Sequence, residues 1–295
     1  MSTQTKNKPK KKRSQLHEVW RRFRKNRTAM GGLIVMVLLV LMAIFAGVIA
    51  PGDGVNPGYD IQDLSRRLEF PSRQHIMGTD NLGRDIFARI VHGSRISLQV
   101  GFVVVSISMV AGVALGAIAG FYHKIDNIIM RFIDILLAIP NILLAISIAA
   151  ALRPGLISVM IAVGIGAIPG YARIVRASVV SVREQEFIEA ARSIGAKDFR
   201  LIRKHILPNC MAPIVVQATM GMAGAISAAA ALSFIGLGLQ VPIPEWGAML
   251  AGGRGFITTF YPMVLFPGIM IALIIFALNM MGDGLRDAFD PRLKK

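Results

Sequence analysis

Residues 183–209, REQEFIEAARSIGAKDFRLIRKHILPN, form a charged segment between two uncharged apolar runs at 156–171 and 211–239. With Phe187 as the reference on a helical wheel, apolar residues share one face of a helix and polar residues the other. The apolar face holds Phe187, Ala190, Ala191 and Ile194, and the polar face holds Glu186, Glu189, Arg192 and Ser193. Gly195 follows as a C-terminal stop, so the pattern predicts a short two-faced helix.

A second, basic helix is predicted at residues 197–205, and Pro208 and Asn209 separate it from the next apolar run. Two small alanines on the apolar face of the first helix would let that helix fit deep into a groove on another molecule. Periodicity alone leaves two interpretations open. A membrane-surface loop is at least as well supported by the pattern as a docking element.

The composition places the chain in a lipid bilayer. Hydrophobic residues make up 54% of the sequence, charged residues only 17%, and the mean hydropathy is +0.58. The net charge of +16 does not indicate nucleic acid, because the basic residues lie in segments bounded by apolar runs and are not interleaved with aromatic residues. The lone Cys210 cannot form an internal disulfide, and its position at the start of an apolar run predicts a buried thiol.

Six apolar runs are long enough to be candidate spans, the first being the uncharged stretch 30–50. The others are residues 96–121, 128–152, 156–171, 211–239 and 262–281. An even number of spans puts both termini on one side of the membrane. Most of the 33 Lys and Arg residues then fall on that side, so the positive-inside rule predicts that both termini are cytoplasmic.

These runs divide the chain into five predicted regions. They are a cytoplasmic basic tail with an interfacial helix at 1–29, a first transmembrane helix at 30–50, an extracytoplasmic loop at 51–95, a five-helix core at 96–285 that contains the 183–209 loop, and a cytoplasmic tail at 286–295. Residues 1–13 are predicted to be disordered. Residues 14–27 are equally well explained as a helix on an anionic membrane face or as a basic flank that only sets the topology.

Three glycines recur every four residues in the second run, at Gly112, Gly116 and Gly120, and would line one helix face with hydrogen atoms. Such a face lets a neighbouring backbone approach closely. Packing within this chain suffices to explain the pattern, although a dimer face for a partner subunit remains open. Pro140, Pro169 and Pro267 lie within runs and predict kinks.

Asp134 lies inside the third run, three residues after Arg131. We expect these two residues to form an intramembrane ion pair, which is favoured over a proton relay because pairing removes much of the cost of a carboxylate in lipid. The central parts of the runs contain almost no other ionisable residues. This counts against a proton-coupled secondary transporter, which normally needs several.

No catalytic or metal-binding constellation is present in the sequence. The chain lacks the G-x-x-x-x-G-K-[ST] phosphate loop, so it is not expected to bind ATP in the usual way. Its five histidines are scattered, and none lies in an H-E-x-x-H motif. We therefore predict a non-catalytic protein with no metal site and no cofactor, and a channel is disfavoured because no filter motif occurs.

The identities of particular residues in the 183–209 loop indicate more about its function than the helical periodicity does. Glu189-Ala190-Ala191, then Gly195, then Leu207-Pro208 resembles the EAA loop of ABC importer permeases. His205 stands where the broad family pattern has an apolar residue, but the form HILPN is similar to the peptide and nickel branch. Further segments resemble the same branch. They are MGTDNLGRDIFARIVHGSRISL, DNIIMRFIDILLAIP, PGYARIVR, LSFIGLGLQVPIPEWGAML and NMMGDGLRDAFDPR.

This resemblance implies an all-α membrane protein with the type I ABC importer permease fold. It also implies a second homologous permease, two cytosolic ATPase subunits that bind ATP and Mg, an extracytoplasmic solute-binding protein, and a plasma (inner) membrane of bacteria or archaea. Glu189, Ala190, Ala191, Gly195, Leu207 and Pro208 would then contact the ATPase. The implied solutes are dipeptides or oligopeptides, with nickel or glutathione-like peptides as the alternative.

The binding protein would contact the outer loops, chiefly residues 51–95 and the 240–261 segment, which contains Pro244, Glu245 and Trp246. Trp246 is explained slightly better as an anchor at the membrane interface, where Trp is common at the ends of spans.

Overall fold

The computed structural model describes residues 15–239 and 242–290. Within these residues the regular structure is helical, and the only β-type pairing is an isolated bridge between Thr79 and Asp85. The predicted tail at 1–13 lies outside the described residues. The longer helices are α1 (Gln15–Lys25), α2 (Arg27–Ile44), α4 (Ile86–Phe121), α5 (His123–Ala138), α6 (Asn141–Ala151), α7 (Leu156–Arg183), α8 (Glu186–Ser193), α11 (Met211–Phe234), α12 (Trp246–Gly253) and α13 (Pro262–Phe289). Short helices complete the chain order, namely α3 (Ala46–Ile49), α9 (Asp198–Leu201) and α10 (Leu207–Asn209).

Five of the described helices are long and apolar enough to cross a membrane, namely α2, α4, α7, α11 and α13. A sixth span is obtained if α5 and α6 are counted as one, although they meet at an angle of 89°. The predicted run 128–152 therefore consists of two helices joined at a sharp bend and not of one continuous helix. Its break falls at Pro140, which lacks a backbone N–H and holds the preceding Ile139 in an extended conformation. By contrast, α7 and α13 continue through Pro169 and Pro267.

Helix α4 begins ten residues before the predicted run, so the first loop ends earlier than expected. The side chain of Asp85 accepts a hydrogen bond from the backbone N–H of Ala88 at 2.8 Å and so caps the helix. Residues 77–85, MGTDNLGRD, are therefore loop and helix cap, and residues 86–95, IFARIVHGSR, form the first turns of α4.

The most extensive helix contact joins α4 and α7 along Gly112, Gly116 and Gly120, which we call the glycine seam. A Cβ added to Gly116 would lie 2.5 Å from the carbonyl oxygen of Ala172, and one added to Gly120 would lie 2.8 Å from Cβ of Val179. Backbones this close exclude any side chain, which is the packing that small residues permit in membranes. The three glycines therefore pack two helices of the same chain against each other, as packing within this chain would require.

The N-terminal helices α1 and α2 pack mainly against α13. Gly32 of α2 lies against α13, where an added Cβ would be 2.6 Å from the carbonyl oxygen of Ala277. Helix α1 folds onto the end of α13 through Phe23, which is buried beside Ala288. Asn26 then caps α2 by accepting from the backbone N–H groups of Thr28 and Ala29. The basic helix α1 therefore packs against other helices of the same chain.

Replacing Gly116 with alanine should destabilise the protein, because the new methyl group collides with backbone rather than with a flexible side chain. We expect a loss of about 1–3 kcal/mol, the usual range for overpacking. Gly47→Ala is the matched control, since a Cβ there meets nothing within 4 Å. The measurement is thermal unfolding of the two variants in detergent. Equal unfolding temperatures would contradict the close packing of α4 and α7 at Gly116.

Candidate functional site

The 183–209 loop begins with the two-faced helix that the sequence predicts, α8. Gly195 ends it with a left-handed φ of +84°, and the backbone N–H of Ala196 donates to the carbonyl of Ala191 at 3.1 Å. Glycine suits this position because it has no Cβ to clash in the left-handed region. The predicted basic helix follows as α9, continues through a π-helical turn at Ile202–Ile206, and runs into α10.

The faces of α8 differ from the helical-wheel prediction in one respect. Ile188 and Ala191 are the residues that point inward, with exposed fractions of 1% and 9%. Phe187, Ala190 and Ile194 face outward, and Ile194 is 86% exposed. The wheel grouped Ala191 with the outward residues and overlooked Ile188, because a short helix with apolar residues on two sides does not reveal which side is covered.

The inward face of α8 rests on the ends of α4 and α7. Ile188 and Ala191 belong to a buried cluster with Phe121, Val179 and Leu201. This contact attaches α8 to the two helices that form the glycine seam.

Two arginines also hold this region together, one joining α7 to α4 and the other joining α8 to α4. Arg183, the last residue of α7, donates to the carbonyl oxygens of Gly120 and Phe121 at 3.1 Å each, and its guanidinium lies 2.8 Å from Nε2 of His123. These carbonyls at the end of α4 have no partner within the helix, and a cation favours the negative end of the helix dipole. Arg192 of α8 lies over the ring of Phe121, 5.9 Å from its centroid.

The remaining loop residues of the predicted ATPase contact are accessible to different degrees. Glu189 and Gly195 are exposed, Leu207 is half-buried and Pro208 is exposed. Cys210 lies beneath them with an exposed fraction of 1%. Burial raises the pKa of its thiol to about 11, so this cysteine is expected to remain unreactive at neutral pH.

The predicted pairing of Asp134 with Arg131 is wrong. The carboxylate of Asp134 instead accepts from the guanidinium of Arg173 on α7 at 2.7 Å. One turn along α7, Arg176 donates two hydrogen bonds to Asp126, at 3.0 and 2.5 Å. Both acids of α5 are therefore paired with α7, which no local spacing could reveal. The signal was available only as two acids on one run and two arginines in PGYARIVR on the next.

The predicted contact at Pro244, Glu245 and Trp246 is also corrected, because all three residues are buried. Trp246 is fully buried and donates its indole N–H to the carbonyl of Ile90 at 3.1 Å, so it is not an interfacial anchor. The carboxylate of Glu245 accepts from the backbone N–H groups of Gly247 and Ala248, each at 2.8 Å, and caps α12. Burial raises the pKa of Glu245, and these two hydrogen bonds partly oppose the shift.

A buried ionic network joins the first loop to the segment before α12. Asp80 accepts from Nε of Arg84 at 2.7 Å and lies 3.6 Å from Nε of Arg89. Arg89 also donates to the carbonyls of Tyr59 and Pro242, each at 3.2 Å. The GTDNLGRD motif is therefore a structural tie between two loops that are far apart in sequence.

Among the described residues, no three His, Cys, Asp or Glu side chains are grouped so that they could hold a metal ion.

Comparison with known families and proteins adds to this geometry. Residues 112–295 match the family described as "Binding-protein-dependent transport system inner membrane component". The chain belongs to this family of permeases. Residues 14–68 of the permease also match "N-terminal TM domain of oligopeptide transport permease C".

Three relatives cover nearly the whole permease. It is 50% identical to the dipeptide transport system permease protein DppC of Alkalihalophilus pseudofirmus, over 94% of this chain and 90% of that protein. It is 46% identical to the di/tripeptide transport system permease protein DppC of Pseudomonas aeruginosa, over 95% and 93%. It is also 46% identical to the glutathione transport system permease protein GsiD of Escherichia coli O6:K15:H31, over 97% and 94%.

Solved structures support the fold. An inward-facing conformation of the MetNI methionine ABC transporter matches with a TM-score of 0.58 at 19% identity, covering 70% of this chain and 98% of that one. An amino acid ABC transporter matches with a TM-score of 0.53 at 20% identity, covering 70% and 95%. The resemblance to ABC importer permeases and the all-α fold are therefore confirmed. The cytoplasmic orientation of the termini stays a prediction.

Replacing Trp246 with phenylalanine should destabilise the permease by about 2 kcal/mol, because it leaves the carbonyl of Ile90 without its donor and opens a gap in the core. The only other tryptophan is Trp20, which is 51% exposed, so Trp20→Phe provides the matched control. Thermal unfolding in detergent measures both variants. If the Trp246→Phe variant unfolded at the same temperature as the Trp20→Phe variant or at a higher one, the buried position of Trp246 would be refuted.

Proposed function

We propose that this permease is one of two related membrane subunits of an ATP-driven importer of dipeptides or oligopeptides in a bacterial plasma membrane. The observation that carries the proposal is the exposed apolar face of α8, held firmly on the membrane helices behind it. The names of two relatives support di- and tripeptides as the solute. Glutathione is itself a small peptide, so the relative named for it supports glutathione-like peptides as a second candidate.

The energy would come from partner ATPase subunits that bind ATP and Mg, since this sequence has no phosphate loop. Phe187, Ile194 and Phe199 are exposed to 44%, 86% and 73% in an otherwise charged loop. Apolar side chains grouped in this way are typical of a surface that a partner covers. We assign this surface to the ATPase on the cytoplasmic side, together with the exposed Glu189, Ala190, Gly195 and Pro208.

Motion of the ATPase would reach the membrane through α8. Ile188 of α8 shares a buried cluster with the ends of α4 and α7, and Arg183 fastens α7 to α4, so a displacement of α8 would carry both helices. Rigid helices that move as a body can open a cavity alternately to the two sides.

The solute-binding protein would contact the first loop. Pro244, Glu245 and Trp246 are buried, whereas Val55, Leu64 and Ile76 of this loop are exposed to 89%, 63% and 65%. The buried ionic network around Asp80 holds the loop in a fixed shape beneath these residues. Of the two predicted contact regions, we therefore retain the first loop and withdraw the 244–246 segment.

Transport is tested with the permease, its partner permease, the ATPases and the binding protein reconstituted in vesicles. We expect uptake of a labelled dipeptide that requires ATP and is abolished by vanadate. Uptake that persists in vanadate would contradict the ABC mechanism and favour a secondary transporter.

Replacing Ile194 with glutamate should weaken binding of the ATPase by at least about tenfold, because a charge replaces an apolar side chain that the partner would bury. Ser193→Glu introduces the same charge one residue away, on the polar face of α8, and should change binding little. Titration of the permease complex with isolated ATPase measures both affinities. Equal affinities for the two variants would remove the outward face of α8 as the contact.

Replacing Gly195 with valine should uncouple ATP hydrolysis from uptake while leaving the protein in the membrane. A β-branched residue at a left-handed φ is strained by about 1–2 kcal/mol, so the end of α8 is expected to change conformation. Gly195→Asn is the control, since asparagine tolerates this region better than other residues. Parallel assays of ATPase activity and peptide uptake decide the point, and wild-type uptake by the valine variant would contradict it.

A further inference from the structure

A cavity of about 510 Å³ lies beside the break between α5 and α6, with α4, α7 and α11 forming its other walls. Its volume is within the ~300–1,000 Å³ that is usual for small-molecule sites. None of the described residues that line it is charged. Asp134 and Arg173 lie one turn away from the lining residues Leu137 and Gly170, but they are paired with each other. We call this space the neutral cavity.

Three polar side chains of the neutral cavity have unused hydrogen-bonding groups. Asn141, Gln217 and Ser227 all line it, and within residues 15–239 and 242–290 none of their side chains makes a hydrogen bond. The amide groups of Asn141 and Gln217 can each donate and accept. On the same wall, the hydroxyl of Tyr171 donates to the backbone carbonyl of Gln217 at 3.3 Å and holds this part of α11 in place.

The broken span adds backbone polarity at the same point. Pro140 accepts from the backbone N–H groups of Leu143 and Leu144, at 2.9 and 3.1 Å, so α6 starts here as a new helix. Asn141 and Ile142 are in its first turn and line the cavity. First-turn N–H groups lack partners within a helix, and discontinuous helices form the solute sites of other membrane transporters.

The wall formed by α7 and α11 includes small residues, and the cavity is open at one of them. Gly170, Gly221 and Gly224 all line the cavity; a Cβ added to Gly221 would collide with the hydroxyl of Tyr171, whereas one added to Gly224 meets nothing within 4 Å. The neutral cavity therefore combines open space with unused hydrogen-bonding groups, and none of its described lining residues is charged.

We propose that the neutral cavity is this chain's solute-contact site, and that Asn141, Gln217 and Ser227 recognise neutral amide groups of a peptide backbone rather than its charged groups. The inference rests on the proposed function of peptide import. Amide groups are common to all peptides, so a site of this chemistry accepts peptides as a class. It does not select a side-chain charge, because it offers none of its own.

The first test changes the charge of the cavity in the reconstituted importer with its partner permease, ATPases and binding protein. Gln217→Glu should raise the uptake of lysyl-lysine relative to glutamyl-glutamate by about tenfold, because a buried charge attracts one peptide and repels the other. Gln217→Lys should shift the ratio in the opposite direction. Gln99→Glu is the matched control, since Gln99 is exposed on α4 and does not line the cavity.

The second test fills the cavity without changing charge. Gly224→Phe should lower the uptake of alanyl-alanine by at least about tenfold, since the ring occupies space that the solute needs. Gly47→Phe is the control, because a Cβ at either glycine meets nothing within 4 Å and Gly47 lies in α3, away from the cavity. Uptake is expressed per molecule of permease inserted in the vesicles, so a variant that fails to insert is recognised and the other test decides.

The outcomes separate the two proposals. If the unmodified importer moves no peptide, the proposed function fails and this inference fails with it. If the unmodified importer moves peptides, but the charge ratio is the same in the Gln217 and Gln99 variants or Gly224→Phe imports normally, the neutral cavity is not the solute-contact site while peptide import stands.

Discussion

The rest of the structure depends on the close approach of α4 and α7 at the glycine seam. The absence of side chains at Gly112, Gly116 and Gly120 lets the two backbones meet, and nothing larger than hydrogen fits between them. The seam sets the position of Tyr171, which lies against Gly112 and orders the wall of the neutral cavity. It also brings the end of α4 to Arg183, which binds the carbonyl of Gly120 itself. The packing of α4 against α7 therefore affects the geometry of both the 183–209 loop and the neutral cavity.

Charged and uncharged polar side chains lie in different parts of the structure between the 183–209 loop and the neutral cavity. Charges near the ends of helices are paired, as in Asp126 with Arg176 and Arg183 with the last carbonyls of α4, and such pairs fasten helices to one another. Between the helices, at the neutral cavity, the side chains of Asn141, Gln217 and Ser227 are uncharged and make no hydrogen bond within the described chain. This division suits a permease that must hold its shape at the loop and yet release a solute in the middle.

Local patterns predicted the features that depend on local physics. Apolar run lengths gave the spans, the glycine after α8 gave its end, and motif order gave the family. Features that depend on contacts between distant segments could not be read in this way. Asp134 has Arg131 one turn away, yet the bend at Pro140 and the path of α7 bring Arg173 to it instead. Trp246 follows a span as interfacial tryptophans do, but only the packed fold shows that Ile90 accepts its N–H. Likewise, the wheel of α8 could not show that α4 and α7 cover Ile188.

The central claim is that α8, α4 and α7 move as one body when the ATPase acts. Spin labels at Ser193 on α8 and Phe102 on α4 test it most directly, since both side chains are exposed and the native Cys210 is buried. The distance between the labels is measured by electron paramagnetic resonance in the full importer, without nucleotide and with ATP trapped by vanadate. The account predicts the same distance distribution in both states, while the distance from Ser193 to the partner permease changes. A distribution between Ser193 and Phe102 that shifts with nucleotide would contradict it.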